Sequence, residues 1–520
     1  MPEPVFQKQP VAVIDIGSSA IRMVIAEIGA KGEFSYLENL QKPIAFAKDV
    51  FTEGRISNRL MQEGVRILKD YKTLIETYGV KKVHAIATSA VREAVNRDTF
   101  IDRVFVRTGF EVEVIEGAEQ NRLDLVAVEY ALKGNLDFEK KNCLIIEVGS
   151  GTTDMILLNN GEVEMTRTLS LGSIRLPEQA AAGKKSSETM QRALRRSIHE
   201  IAEYAGREHS LGDIDTFIAM GADMRFAVRH LLEEKIEGAV AQLPKKTFLN
   251  FIERLAKMPA EEIVSHFDLA YSEAETLFPA LLFYANFLNE TRAETILVPM
   301  VSIRDGLLLE MAQMLSGYKR TDISRQVINS AKRLGRKYKY DEPHALCVGQ
   351  LAVKLFDLMK EEHGMGTRER LLLETSAVLH DIGMYVAPVS HHKHSSYLVD
   401  AAEIFGLRKA DKDIVSNVVR YHRRSSPQPS HVQYMSLPRL ERAIVSKLAA
   451  ILRVADAMDK SHQQKIRSFT LEKEKDTYVL WIDEEGDFSL EREALVRKGA
   501  MFSEVFGSAV NLKQGVPAKS

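Results

Sequence analysis

Apolar and β-branched residues crowd into one repeated design in this 520-residue chain, at residues 11–28 (VAVIDIGSSAIRMVIAEI) and 143–158 (CLIIEVGSGTTDMILL). Each pattern predicts a buried strand ending on a carboxylate, Asp15 or Glu147, then a tight turn of small residues and a second apolar strand. The turns read Gly17-Ser18-Ser19 and Gly149-Ser150-Gly151-Thr152-Thr153. Glycine there would let the main chain approach an anion closely and take up positive φ, so that backbone N–H groups and hydroxyls cradle a phosphate. A single hairpin of this kind would be an ordinary turn. Two copies predict a duplicated domain whose loops face each other.

Between the copies, Met61, Val65, Leu68, Tyr71, Ile75 and Tyr78 recur at helical spacing, and residues 83–87 predict a short buried strand. Val112, Val114 and Ile115 predict another, running through Gly117 into a helix over 118–132. The alternation predicts a first lobe over 1–130 and a second over 131–315. The second lobe carries helices around 188–205 and 225–236, a strand at 217–220 and a last strand at 296–301. Near Gly317 the pattern turns helical, with Ile323, Val327, Ala331, Leu334 and Tyr338 on one face. An all-helical domain is expected over 316–466, then a small α+β segment over 467–520 with strands at 469–482 and a helix at 490–506.

Composition changes this picture little. The length calls for about three or four domains, and 45% hydrophobic with 27% charged residues is ordinary for a globular protein. A net charge of −2 offers a polyanion no overall attraction, so local basic groups must hold it. No basic-aromatic platform suggests nucleic-acid binding. Cys143 and Cys347 read as small buried hydrophobes, consistent with a reducing cytoplasm. The opening MPEPVFQKQP has no basic start, and no run of about 18 apolar residues occurs, so neither secretion nor a membrane span is expected.

The segments IDIGSSAIRMVIAEI, ATSAVREAVNRDTF (87–100), VIEGAEQNR (114–122), IIEVGSGTTD (145–154), SLGSIRL (170–176) and SIRDGLL (302–308) support a family resemblance by their order and spacing. The chain resembles the exopolyphosphatase/guanosine pentaphosphate phosphohydrolase (Ppx/GppA) family, which implies a two-lobed α/β fold of the actin/sugar-kinase/Hsp70 type. Hydrolysis of a terminal phosphoryl needs an anion cradle, a divalent cation and a group that orients or deprotonates water. The candidate phosphate-binding residues are Gly17, Ser18, Ser19, Arg22, Arg92, Gly149, Ser150, Gly151 and Thr152. Asp15 and Glu147 are expected to hold Mg²⁺, and the resemblance points to Glu147 and Asp154 as the acidic groups near metal and water. In GAEQNR, where family members usually read G-x-E-E-A-R, the presumed general base becomes Gln120. Glutamine cannot accept a proton, and losing a general base typically costs about 10²- to 10⁴-fold, which predicts weakened turnover unless Glu116 or Glu119 compensates. Ser150 likewise replaces the family's middle glycine in the second loop.

His344, His380-Asp381 and Asp456 follow the H…HD…D order, and LLETSAVLHDIG and ILRVADAMDKSH resemble HD-domain phosphohydrolases. That implies an HD-type helical domain able to bind one or two divalent ions such as Mn²⁺, Fe²⁺ or Zn²⁺, with His394 and His422 as further ligands. In the family, domains of this kind also serve polyphosphate binding and homodimer contacts. The leading expectation is a cytoplasmic, Mg²⁺-dependent phosphohydrolase that releases terminal phosphate from polyphosphate or guanosine pentaphosphate (pppGpp). The alternative is a regulatory protein whose actin-like half holds phosphate or nucleotide without turnover, beside a metal-dependent HD domain. A sugar or acetate kinase would need a nucleotide site, which GADMR (221–225) matches too weakly.

Overall fold

The computed structural model describes residues 8–175, 192, 196, 199, 211–232, 239–317 and 323–515. Apart from residues 192, 196 and 199, the expected helix at 188–205 lies outside the described residues, as does the end of that at 225–236. The chain divides into two compact units, Met1–Asp322 and Ile323–Ser520.

The first unit contains the duplication. Strands β1 (Gln9–Ile16), β2 (Ala20–Ile28), β3 (Phe34–Pro43), β4 (Lys82–Ala87) and β5 (Val112–Val114) form a sheet in the order β3-β2-β1-β4-β5. Strands β6 (Asn142–Val148), β7 (Thr153–Asn159), β8 (Glu162–Leu169), β9 (Thr216–Met220), β10 (Val240–Pro244) and β11 (Thr295–Pro299) form a second in the order β10-β11-β9-β6-β7-β8. The first three strands of each sheet run antiparallel, and β1 and β6 each pair in parallel with the next strand inward, β4 and β9. The second sheet thus repeats the first and adds β10 at its edge.

Both faces of the first sheet are covered, which is why β1 reads as a near-continuous apolar run. Ala12, Ile14 and Ile16 pack with Leu68 and Tyr71 of the helix Asn58–Thr77. Val11 and Val13 pack on the other side with Leu123, Leu307 and Leu308. The helix Ile303–Ser316, assigned by chain order to the second lobe, therefore packs on the first sheet. A Cβ at Gly306 would strike the Leu123 carbonyl, so glycine permits the close crossing of this helix with Gly117–Leu132. The second sheet packs against the phenylalanine-rich helices Lys245–Leu255 and Tyr271–Asn289.

The second unit is built from helices that include Ser324–Lys337, Glu342–Leu358, Thr367–Leu379, His391–Ala401, Lys409–Arg420 and Arg439–Met458. Strands β12 (Thr470–Glu474), β13 (Thr477–Ile482) and β14 (Ala509–Gln514) follow, with helices Ser489–Lys498 and Ala500–Phe506 meeting at Gly499. Leu480, Phe502 and Leu512 share one core with Leu373, Val419 and Leu452, so the α+β segment completes the helical domain's interior. Cys143 is buried and Cys347 half-buried, and burial pushes both thiols up to about 12. Among the described residues no helix is long and apolar enough to cross a membrane.

Candidate active site and histidine cluster

The two hairpins turn identically: the Gly17 N–H donates to the Ala20 carbonyl at 3.0 Å, and that of Gly149 to Thr152 at 2.8 Å. The expected positive φ is corrected here, because Gly17, Gly149 and Gly151 all keep ordinary φ. Lack of space explains these glycines. A Cβ on Gly17 would lie 3.0 Å from the Ala20 oxygen and Arg22 Nη1, and one on Gly151 would fall on the Phe51 ring. Ser18 is turned inward, its hydroxyl 2.8 Å from Ser89 Oγ and accepting from the Ala90 N–H at 3.2 Å. It ties the first loop to the segment carrying Arg92, whereas Ser19 faces solvent. The second loop is braced by the Ser173 and Ile174 N–H groups, which donate to the Gly149 and Ser150 carbonyls at 2.9 and 3.0 Å. Thr152 is buried and hydrogen-bonds Asp154.

The strand register sets the charges. Asp15 lies opposite Arg22 across β1 and β2, with Oδ2 3.6 Å from its guanidinium and Oδ1 buried without a partner. At the equivalent place in the second sheet Glu147 lies opposite Asp154, a like-charge pair. Burial pushes the Glu147 carboxyl up, Arg225 and Asp124 oppose the rise, and Asp15 adds to it. Burial also lifts Asp154 to about 7, against the Thr168 hydroxyl and Arg92. Arg92 is part-buried and donates to the Ile115 carbonyl at 2.7 Å.

Three residues of this site went unread in the sequence. Asp124, 2% exposed, is driven well up by burial and by Glu147, Asp154 and Asp15. Arg225 donates to the Val301 carbonyl at 3.0 Å and acts on Glu147. Arg304 donates to Asn39 at 2.8 Å and acts on Asp15. Burial lowers both arginines, and Arg22 lowers them further by repulsion. Two signals existed: an aspartate inside the apolar run RLDLVAVEY, and arginines just beyond the ends of β9 and β11.

The helix Gly117–Leu132 brings Gln120 to Asp154, with Nε2 donating to Oδ2 at 2.8 Å. Thr168 donates to the other oxygen at 2.6 Å, so Asp154 has a donor on each oxygen. Neither suggested stand-in for the base is free to act there. Arg122 grips the Glu119 carboxylate with two bonds of 2.7 and 2.8 Å, while Glu116 sits exposed at the helix N-cap.

In the second unit His344, His380 and Asp381 form one group with metal-ligand spacing, and Asp381, His391 and His422 form another. His380 and His422 each place Nδ1 2.7 Å from a backbone carbonyl, of Ala377 and Val419, and His344 places Nδ1 2.8 Å from Asp459. Those bonds fix Nδ1 as the protonated nitrogen and turn the Nε2 lone pairs inward, as in metal-binding histidines. His344 Nε2 and His380 Nε2 are buried without partners. Burial holds His380 down to about 4; for His344, the Asp459 bond and Asp456 outweigh burial and raise it. Asp381 Oδ1 lies 3.0 Å from His391 Nε2 and 3.4 Å from His422 Nε2. The expected ligand His394 is corrected: its neighbour His391 joins the cluster, while His394 is half-buried and in neither group. Asp456 Oδ1 is 3.8 Å from His344 Nε2, and Lys498 holds its other oxygen.

The sequence profile of the Ppx/GppA phosphatase family matches residues 24–315, more than half the chain. The chain belongs to the Ppx/GppA phosphatase family. The profile of domain III of Ppx/GppA phosphatases matches residues 327–498, so the histidine cluster lies in domain III. This Ppx/GppA protein is 23% identical over 451 residues to a guanosine-5′-triphosphate,3′-diphosphate pyrophosphatase of Photobacterium profundum, covering 85% of this chain and 84% of the relative. Its fold matches the Ppx/GppA family member of Aquifex aeolicus (23% identity, TM-score 0.51), with 59% of this chain and 99% of that one covered. It also matches an exopolyphosphatase from Cytophaga hutchinsonii (21%, TM-score 0.54), with 60% and 99% covered. The first unit is thus the actin-like ATPase fold of these proteins.

Proposed function

We propose that the first unit hydrolyses the terminal phosphoanhydride of inorganic polyphosphate or guanosine pentaphosphate. One observation carries the reading: the two hairpins bring Asp15, Glu147 and Asp154 into the field of Arg22, Arg92, Arg225 and Arg304. The arginines neutralise and orient phosphate oxygens, and the carboxylates serve cation and water. Asp15 and Glu147 fit Mg²⁺, which binds through one or two carboxylates plus substrate phosphates, and the unpartnered Asp15 Oδ1 is available for it. Bound Mg²⁺ would neutralise charge on the transferred phosphoryl. The braced loops hold the chain end, and Gln120 keeps Asp154 oriented. The activity belongs in the cytoplasm, and a homodimer remains the expected assembly.

Titration calorimetry of the full chain with long-chain polyphosphate and Mg²⁺ should show binding that Arg92→Ala weakens by about 10- to 100-fold, the worth of a charge-assisted bond. Equal affinity in the variant would remove Arg92 from the phosphate site, and absence of binding in the wild type would end the reading.

A second reading is favoured by the partnerless Nε2 atoms of His344 and His380: domain III is an HD-type, metal-dependent phosphohydrolase, and the first unit is regulatory. Four imidazoles with Asp381 suit Mn²⁺, Fe²⁺ or Zn²⁺.

A further inference from the structure

Asp381 is shared by the two ligand groups of domain III, and the two are not equally ready for an ion. In the group of Asp381, His391 and His422, the aspartate Oδ1 lies 3.0 Å from His391 Nε2 and 3.4 Å from His422 Nε2, and the two nitrogens are 3.3 Å apart. Around a tetrahedral ion with bonds of about 2.0–2.1 Å, ligand atoms stand about 3.3–3.4 Å from one another. The three atoms thus have the spacing of ligands on one ion. Both rings are held from behind, with His391 Nδ1 3.1 Å from the Pro388 carbonyl and His422 Nδ1 2.7 Å from that of Val419, which turns each Nε2 to Asp381.

The other group is looser, and the acid that would complete it is engaged elsewhere. His380 Nε2 is 3.6 Å from Asp381 Oδ2, while Asp456, 3.8 Å from His344 Nε2, belongs to neither group. Lys498, the last residue of the helix Ser489–Lys498, reaches from the α+β segment to Asp456 on the helix Arg439–Met458. Asp456 is 6% exposed, so the pair lies where charges are weakly screened. An ion at His344 and Asp456 would meet a carboxylate whose charge Lys498 has already neutralised, with the ammonium itself one carboxylate away.

We infer that domain III takes a single divalent transition ion, ligated by Asp381, His391 and His422, and that Lys498 stands in for a second ion by neutralising Asp456, an inference that rests on the reading of domain III as a metal centre. Three protein ligands leave one position of a tetrahedral ion open, as in catalytic rather than structural sites. His344 and His380, whose Nε2 atoms are buried without partners, then act as hydrogen-bond acceptors and not as ligands. The α+β segment accordingly does more than complete the core: through Lys498 it sets how many ions the cluster holds.

The test strips full-length protein of metal with a chelator, reconstitutes it with excess Zn²⁺ while Mg²⁺ fills the first unit, removes unbound ions by gel filtration and counts zinc by elemental analysis. Wild type should hold about one equivalent and His422→Ala less than about 0.2, as loss of a first ligand implies. Asp456→Asn should keep the wild-type equivalent, because that side chain is not a ligand. Lys498→Met keeps most of the side chain's length without its charge, freeing Asp456, and should raise the count to about two. Loss of the ion in Asp456→Asn overturns the inference, as does a wild type that holds two equivalents. A count that stays at one in Lys498→Met overturns the role of Lys498. Should Lys498→Met not fold, the count in Asp456→Asn still decides. A wild type that holds less than about 0.2 equivalents overturns the metal reading of domain III itself, before any substitution is compared.

Discussion

Glu147→Gln is expected to lower phosphate release by about 10²- to 10³-fold, the loss seen when one preorganised charge-stabilising group is removed, and at the same time to raise the melting temperature. Both effects have one origin. Glu147 lies across the strand pair from Asp154; it raises the carboxyls of Asp154 and Asp124, and Asp15 adds to the rise of its own. Such a cluster strains the empty protein and is useful only when a cation and phosphate are bound, a familiar exchange of stability for function. The sign of the pH dependence follows from Asp154, whose carboxyl is raised to about 7 in the fold from the usual 3.8. Its stabilising share is fully present below about pH 4 and is lost as pH rises through about 7, so without Mg²⁺ the wild type should melt lower at pH 8 than at pH 6. Glu147→Gln should flatten that slope. Activity within threefold of wild type, or a lower melting temperature, would show that Glu147 is a structural acid.

The second large effect concerns domain III. Purified wild type should carry about one equivalent or more of a transition metal, and Asp381→Ala should reduce it below about 0.2, because Asp381 belongs to both groups of ligands. Elemental analysis checks this directly. Wild type that stays below about 0.2 equivalents after reconstitution would make the cluster a structural relic. The Lys498 ammonium on Asp456 would then act as its permanent counter-charge.

The duplicated hairpins were legible because strands covered on both faces write themselves as unbroken apolar runs, and because two copies share one carboxylate-turn spacing. Their third strands, β3 and β8, were not: β3 is an edge strand with mostly exposed side chains, so no periodic apolar face announces it. The helix Tyr271–Asn289 was equally hidden, since it is apolar nearly all round and shows little amphipathic period. Asp15, Glu147, Asp154 and Arg92 were found through local motifs. Arg225, Arg304 and Asp124 were missed because each joins the site from a distant segment, and only the folded chain shows which way a helix presents its side chains. The same reason separates His391 from His394, which stand three residues apart near the start of one helix, with only the first in the cluster. Gly17, Gly149 and Gly151 were recognised as loop glycines, but at Gly151 the requirement is close packing on the Phe51 ring, a tertiary property that a turn sequence does not encode.

The central claim is tested most directly by measuring inorganic phosphate released by the full-length protein from long-chain polyphosphate and from guanosine pentaphosphate, with Mg²⁺ and after its removal by chelation. The account predicts release from at least one substrate that disappears on chelation and returns with added Mg²⁺. Release that is unaffected by Asp15→Asn and Glu147→Gln but lost in Asp381→Ala would contradict it and move the chemistry to domain III.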